Sequence, residues 1–282
     1  MQYIETTVSE AFSREVLQRE SEINLARAGL IFARSEYPQL DSSWYLGQLD
    51  LIASDIIARQ NPNTDMRSRL IAMNEYLFGE LGYAGNLEDY YDPRNSYLNE
   101  VIDRRVGLPI TLSILFIELA ERVGIDAKGV SFPGHFLVEV SDGGGDLIVD
   151  AFDGGAVLAR ATFLERLLQR AKPHTSVEVL EAALRRAPKT EILLRQLRNL
   201  KAIYVDKGFV EKALNTINHM LVIHQDLLPE LLERAALYDS LGYARGAVSD
   251  YERAILRMPQ GPEQEAVLAR LTSAREQAQN LH

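Results

Sequence analysis

The chain has 282 residues, of which 46% are hydrophobic and 25% are charged, a balance typical of globular proteins with one or two buried cores. It contains no cysteine, which excludes disulfides, thiolate zinc sites and cysteine nucleophiles. Its formal net charge of −10 argues against a nucleic-acid-binding protein, because affinity for the phosphate backbone depends mainly on Lys and Arg.

The N-terminal segment MQYIETTVSEAFSREVL carries acidic residues where a secretory signal needs a basic start and an apolar core. No apolar run in the sequence approaches the roughly 18 residues that cross a bilayer. We therefore expect a cytoplasmic protein.

The first hundred residues are predicted to be mostly helical. Residues 7–34 and 45–59 place apolar and charged side chains at helical spacing. A third amphipathic stretch follows Thr64 and Asp65, either of which can cap a helix, and it ends at Gly82, a typical helix C-terminal residue.

A polar, tyrosine-rich loop is predicted over residues 82–109, where Gly, Asn, Asp and Pro favour turns. In one interpretation the tyrosines pack over the edge of the domain. In the other they line a binding cleft, because functional side chains concentrate on loops held by a rigid scaffold. The binding candidates in this second interpretation are Tyr90, Tyr91, Tyr97 and Asn99.

The segment 109–123 is the most apolar of the chain and is predicted to be a buried helix that begins at Pro109 and ends at Gly124. After it the period changes, because KGVSF, FLVEV and DLIVDAF are short and rich in Val, Ile and Phe, as strands are. The last two are expected to form an antiparallel hairpin. A buried helix followed by a small antiparallel sheet predicts an α+β domain.

From about residue 197 the sequence repeats itself at a spacing of 34 residues, the period of a tetratricopeptide repeat. Repeats are predicted near 195–228 and 229–261, with a polar capping helix at 262–280 and a helix near 177–186 covering the other end. The two tyrosines of the repeat are also binding candidates. The recurring residues are Tyr204 with Tyr238, Gly208 with Gly242, and Ala213 with Ala247.

The stretch from residue 95 to 155 contains NSYLNEVIDRRVGLPITLSILFIELAERVGIDAKGV, then SFPGHFLVEV, then LIVDAFDGG. It resembles the transglutaminase-like core of SirB-type bacterial proteins, which join this core to tetratricopeptide repeats. The resemblance implies a transglutaminase-like domain over 1–175, with a helical part at 1–94 and the core at 95–160. An all-α tetratricopeptide-repeat domain then occupies 176–282.

Active relatives in this superfamily carry a cysteine at the start of the central helix and a histidine and an aspartate on neighbouring strands. The resemblance places His135 and Asp150 on the histidine and aspartate, and it places the cysteine position near Ile110. An isoleucine has no nucleophilic atom. Thr111 and Ser113 are the alternative oxygen nucleophiles, although a helical Ser or Thr usually bonds to its own backbone.

The spacing of the two strands leaves the contact between His135 and Asp150 open. If Val140 lies opposite Asp146, strict pairing puts Phe136 opposite Asp150, and His135 points to the other face. A one-residue bulge near the SDGGG turn would bring the two side chains together.

These patterns predict a non-catalytic binding or regulatory protein, whose repeats or His135 cleft take a protein or peptide partner. The alternative is a residual hydrolase or acyl-transfer enzyme that uses Ser113 or Thr111 with His135 and Asp150. No cofactor is expected. No metal site is expected either, because the remaining histidines lack the spacing and acidic neighbours of one: His174, His219, His224 and His282.

Overall fold

The computed structural model of the chain describes residues 2–61, 63–170 and 175–280, and the side chains from residue 8 onward. It divides into two compact units, unit 1 from Met1 to Asn199 and unit 2 from Leu200 to His282. The domain boundary expected between residues 175 and 176 lies before this division and stays a prediction. Many helices with two small sheets confirm the predicted α+β class.

The N-terminal part of unit 1 consists of four helices, α1 (Gln2–Val16), α2 (Leu25–Ala33), α3 (Ser42–Ala58) and α4 (Met66–Asn74). The first amphipathic stretch thus contains two helices, α1 and α2, joined by a polar turn. Asp65 caps α4, because its carboxylate accepts a hydrogen bond of 2.9 Å from the backbone N–H of the third helical residue.

The tyrosine-rich segment contains more regular structure than its turn residues indicate. Strand β1 (Ala84–Gly85) pairs in parallel with β2 (Val106–Gly107), and helix α5 (Leu98–Arg104) lies between them in the chain. A short 3₁₀ turn, Pro93–Ser96, precedes α5. These elements fix both ends of the loop.

The core of unit 1 is the predicted central helix, α6 (Pro109–Arg122), whose residues are all buried from its start through Ala120. It packs against a four-stranded antiparallel sheet with strands in chain order. The fourth strand was not predicted from the sequence. The strands are β3 (Ala127–Phe132), β4 (His135–Ser141), β5 (Asp146–Asp150) and β6 (Ala156–Ala159).

Helices α7 (Arg160–Arg170) and α8 (Val177–Ala183) cover the face of the sheet that points away from α6. The sequence interpretation assigned the α8 segment to the end of the repeats, but its leucines pack against this sheet within unit 1. Both faces of the two central strands, β4 and β5, are therefore buried. The shared apolar cluster contains Val130, Leu137, Ile148, Leu164, Leu180 and Leu184.

The remaining helices are α9 (Lys189–Asp206), whose last turns lie in unit 2, α10 (Val210–Ile223), α11 (Leu228–Ser240), α12 (Ala244–Ile255) and α13 (Pro262–Asn280). The helix ends recur at the spacing seen in the sequence, since α9 and α11 end 34 residues apart and α10 and α12 begin 34 residues apart. Across the described ranges, no helix is long and apolar enough to span a membrane.

The inter-helix turns of unit 2 repeat the same geometry. Gly208 and Gly242 adopt φ angles of 71° and 70°, which a residue with a side chain rarely adopts. In each turn an aromatic side chain packs edge-on to the tyrosine of the preceding helix. The ring centroids are 6.2 Å apart for Tyr204 and Phe209, and 5.1 Å apart for Tyr238 and Tyr243.

Candidate functional site

His135 and Asp150 are in direct contact on the sheet of unit 1. His135 is the first residue of β4 and Asp150 is the last residue of β5, and the His135 Nε2 to Asp150 Oδ2 distance is 2.7 Å. The structure thus brings together the two side chains that the resemblance singled out.

The contact arises from strand register and needs no bulge. The expected pairing of Val140 with Asp146 is wrong by one residue, because Ser141 pairs with Asp146 and Val140 pairs with Leu147. The same register, continued along the two strands, places Leu137 opposite Asp150. His135 lies two residues before Leu137 and therefore on the same face of the sheet. A one-residue shift in register exchanges the faces of every side chain on a strand, which explains the error.

The carboxylate of Asp150 is held by three donors. Its Oδ1 accepts hydrogen bonds from the backbone N–H groups of Phe152 at 3.0 Å and Asp153 at 3.2 Å, while Oδ2 faces the imidazole. The carboxylate therefore orients the ring and leaves Nδ1 of His135 to exchange a proton or a hydrogen bond with a ligand. The side chains are 28% and 25% exposed, so a ligand can reach the pair.

An aromatic wall joins this pair to the tyrosine-rich loop. The ring centroid of Phe152 lies 6.1 Å from that of His135 and 6.0 Å from that of Tyr90, whose own neighbour Tyr91 is mostly exposed. Gly85 permits this arrangement, because a Cβ at that position would lie 2.5 Å from the Phe152 ring. Two of the predicted binding tyrosines are thus linked to His135 through Phe152, Tyr90 by direct ring contact with Phe152 and Tyr91 through Tyr90.

The other binding candidates lie elsewhere. Tyr97 is buried, stacks on Phe32 with ring centroids 5.5 Å apart, and belongs to the helical core of unit 1. Asn99 lies on α5 beside a separate cavity. In unit 2, Tyr204 is buried and Tyr238 is partly buried against its neighbouring helix, so both are packing residues of their hairpins.

The start of α6, where the resemblance places the cysteine of active relatives, is closed to solvent. Ile110 is only 1% exposed, and both Thr111 and Ser113 are fully buried. The Thr111 hydroxyl donates to the carbonyl oxygen of Asn95 at 2.8 Å and accepts from the N–H of Leu108 at 3.0 Å. These bonds anchor the helix start to the preceding loop.

Neither hydroxyl is arranged as an activated nucleophile. The Ser113 Oγ has no hydrogen-bond partner among the described residues. The side chain of His135 bonds to Asp150, and no hydrogen bond joins it to Thr111 or Ser113 within the described part of the chain. The interaction required by the alternative hydrolase interpretation is therefore not formed.

A cavity of about 340 Å³, here called the arginine cavity, lies beside Asp150. Helix α7 contributes Arg166 and Arg170 to its wall, together with the apolar side chains of Phe163 and Leu167. Neither arginine forms an ion pair with any residue that the structure describes. The sequence interpretation missed these arginines, although their spacing of four places both on one face of a helix.

The histidines outside this site do not form a metal centre. Within the described ranges, no group of three or more His, Cys, Asp or Glu residues could hold an ion. His219 is buried, donates from Nδ1 to the carbonyl oxygen of Asn215 at 2.8 Å, and has its pKa lowered by burial. His224 is exposed, and His174 and His282 lie outside the described residues.

Comparisons with known proteins identify the family of the chain. A model of the transglutaminase-like superfamily matches residues 43–198, which include His135 and Asp150. A "UPF0162 protein" of Xylella fastidiosa (strain Temecula1) is 38% identical over 244 residues, which are 83% of this chain and 84% of the relative.

More distant relatives extend the comparison. A "UPF0162 protein" of Vibrio cholerae is 24% identical over 86% of this chain and 89% of its own length. Human "F-box only protein 21" is 28% identical over 182 residues, which are 63% of this chain and 29% of the human protein. No solved structure matches the chain.

Proposed function

The chain belongs to the UPF0162 family of transglutaminase-like proteins, and on this premise we propose that it is a binding protein that recognises a peptide segment without reacting with it. The segment binds across the His135–Asp150 pair. The repeats of unit 2 dock a second part of the same partner, and the protein acts in the cytoplasm.

One contrast carries the proposal: the imidazole–carboxylate pair is open, while the start of α6 is closed. A nucleophile for acyl transfer must reach both its substrate and its base. His135 is 28% exposed, whereas Ile110 is 1% exposed and ends in an alkyl group. A site of this kind can form hydrogen bonds to a ligand but lacks an atom that attacks it.

The arginine cavity supports an acidic ligand. The guanidinium groups of Arg166 and Arg170 lack carboxylate partners within the described residues, and such groups bind carboxylates by paired, charge-assisted hydrogen bonds. The carboxylates of Asp150 and Asp153 line the same cavity, so the acidic group of the ligand is placed at the wall formed by Arg166 and Arg170. The neighbouring phenyl and leucyl groups suit an apolar side chain of the same peptide.

The finer assignment to the SirB-type family rests on unit 2. Matched helix ends at a 34-residue spacing and matched left-handed glycines support two tetratricopeptide repeats followed by the cap α13. Repeats of this type hold a partner helix or tail in a groove, and the groove contacts side chains on one face of the partner helix. Docking of a partner there would raise the effective concentration of its acidic segment at His135.

A peptide array tests binding directly. The full-length protein is applied to immobilised peptides of varied sequence, beside the variants His135→Ala and Arg166→Gln. His224→Ala is the matched control, because His224 is an exposed histidine of unit 2. We expect wild type and the control to select the same acidic peptides. Both site variants should bind them at least about tenfold more weakly, as expected for loss of a hydrogen bond to a charged group.

Hydrolysis of a panel of fluorogenic amides and esters is measured on the same proteins. The proposal requires that every protein in the set release the fluorophore no faster than the uncatalysed reaction does. Turnover by wild type that is lost in His135→Ala would refute it and favour the hydrolase alternative. Peptide selection that is unchanged in both site variants would show that the His135 cleft does not bind the peptides.

A further inference from the structure

A second cavity, of about 360 Å³, lies in the helical part of unit 1, where the segment before α3 and the start of α3 meet α5. We call it the acidic pocket. No residue of the His135 site lines it. The side chains that matter here are Tyr37, Trp44, Tyr45, Asn99, Glu100 and Asp103.

The carboxylates of the acidic pocket lack cationic partners. Glu100 and Asp103 form no ion pair with any described Lys or Arg. Arg94, whose charge interacts with that of Glu100, is already paired with Asp92 at 2.7 Å. Asp103 Oδ2 accepts a hydrogen bond of 2.6 Å from the hydroxyl of Tyr45, which leaves its charge uncompensated.

The neighbouring phenol responds to that charge. Burial raises the pKa of Tyr45, and the hydrogen bond to Asp103 with the negative charges of Asp103 and Glu100 raises it further. A site where two carboxylates disfavour a third negative charge attracts a cation for the same electrostatic reason.

An aromatic surface borders these carboxylates. Trp44, the only tryptophan of the chain, is 51% exposed. Its ring centroid lies 4.8 Å from that of Tyr45 in an edge-on arrangement. An exposed indole face beside unpaired carboxylates is the arrangement that binds a cation by cation–π attraction.

Asn99 supplies an independent indication of a ligand. The residue is only 4% exposed, and its Oδ1 is a buried acceptor without a hydrogen-bond partner among the described residues. Buried polar atoms in proteins are nearly always satisfied by protein or water, so this amide at the pocket wall has an acceptor available to a bound donor.

We propose that the acidic pocket binds a guanidinium group, such as that of an arginine side chain. The carboxylates and the amide oxygen are acceptors, and a guanidinium offers only donors. Its planar fork also pairs with a carboxylate while stacking on an aromatic ring, which a compact ammonium does less well. The pocket is distinct from the His135 cleft, and this inference does not depend on the function proposed there.

The lone tryptophan makes the test direct. Emission of Trp44 is followed while N-acetylarginine amide is added to the full-length protein. N-acetylcitrulline amide is the neutral ligand control, because it has nearly the same shape without the charge. The variants are Asp103→Asn and Glu100→Gln. The control variant Glu276→Gln removes an exposed acid in unit 2 and changes the net charge equally.

We expect saturable binding of the arginine ligand to wild type and to Glu276→Gln, and at least about tenfold weaker binding to each pocket variant, from the usual strength of charge-assisted hydrogen bonds. Titration calorimetry of the same pairs detects binding that leaves the emission unchanged. His135→Ala should bind as wild type does. Equal affinity for the citrulline ligand, unchanged affinity in both pocket variants, or no heat and no emission change at millimolar ligand would each overturn the proposal.

Discussion

Thr111→Val removes one hydroxyl from the start of α6 while it keeps the shape of the side chain. The hydroxyl is fully buried and forms hydrogen bonds of 2.8 Å to the carbonyl oxygen of Asn95 and 3.0 Å to the N–H of Leu108. Since a buried hydrogen bond contributes about 0.5–1.5 kcal/mol net, loss of both should lower the free energy of unfolding by about 1–3 kcal/mol.

Ser113→Ala is the matched comparison, because it removes a hydroxyl from the same helix at an equally buried position. The Ser113 Oγ has no partner among the described residues, so its removal relieves an unsatisfied polar atom. We expect the free energy of unfolding to stay within about 0.5 kcal/mol of wild type or to rise by up to about 1 kcal/mol.

Urea unfolding gives the free energy of unfolding of both variants. Trp44, the only tryptophan, lies in α3 and reports on unit 1, and far-ultraviolet circular dichroism reports on the whole chain, whose two units can unfold separately. A loss of stability in Ser113→Ala as large as that in Thr111→Val would contradict this expectation. It would mean that the Ser113 hydroxyl has a partner that the structure does not contain.

Three further changes test other parts of the account. Gly85→Ala should lower the free energy of unfolding by about 1–3 kcal/mol, seen in urea, because the added methyl overlaps the Phe152 ring. Burial raises the pKa of Tyr83 from 10.0 to about 12, so the stability it contributes is complete below about pH 10 and is lost as the pH rises through about 12. Tyr83→Phe should therefore flatten the fall in melting temperature over that window. Glu139→Gln should lower the free energy of unfolding, measured in urea, by about 1–3 kcal/mol, because this buried carboxylate accepts hydrogen bonds from two arginines, Arg160 and Arg186.

The sequence predicts those features that local pattern determines. The apolar run after Pro109 predicts α6, the pair Thr64 and Asp65 predicts a cap for α4, and the change of period after Gly124 predicts the strands of the hairpin. Each signal is contained in a short segment, where helical or strand spacing and a capping residue are sufficient.

Register is not determined in the same way, and the error in the hairpin shows why. A strand with one buried face displays its register as alternating polar and apolar residues. In β4 the consecutive residues Leu137 and Val138 are both fully buried, one under α7 and α8 and the other under α6, so this alternation is missing. The turn residues alone did not distinguish Ser141 from Val140 as the partner of Asp146.

The candidate site was predictable only in part, because it combines segments distant in the chain. The resemblance identified His135 and Asp150, and the tyrosine-rich loop indicated Tyr90 and Tyr91. Tyr97 carries the same sequence signal, yet Phe32, far away in the chain, holds it in the core. The arginines of α7 and the acidic pocket depend on tertiary packing that no local pattern reports.

Whether the start of α6 is closed can be measured by the reactivity of a thiol introduced by Ile110→Cys, because the chain contains no other cysteine to react. The side chain of Ile110 is 1% exposed, so the new thiol should be alkylated only after local opening. We predict alkylation at least about 100-fold slower in the native protein than in guanidinium, as for a group that needs about 3 kcal/mol of opening. The rate should be the same in an added His135→Ala background. Fast alkylation at neutral pH that His135→Ala slows would show an open, activated position and would contradict the account.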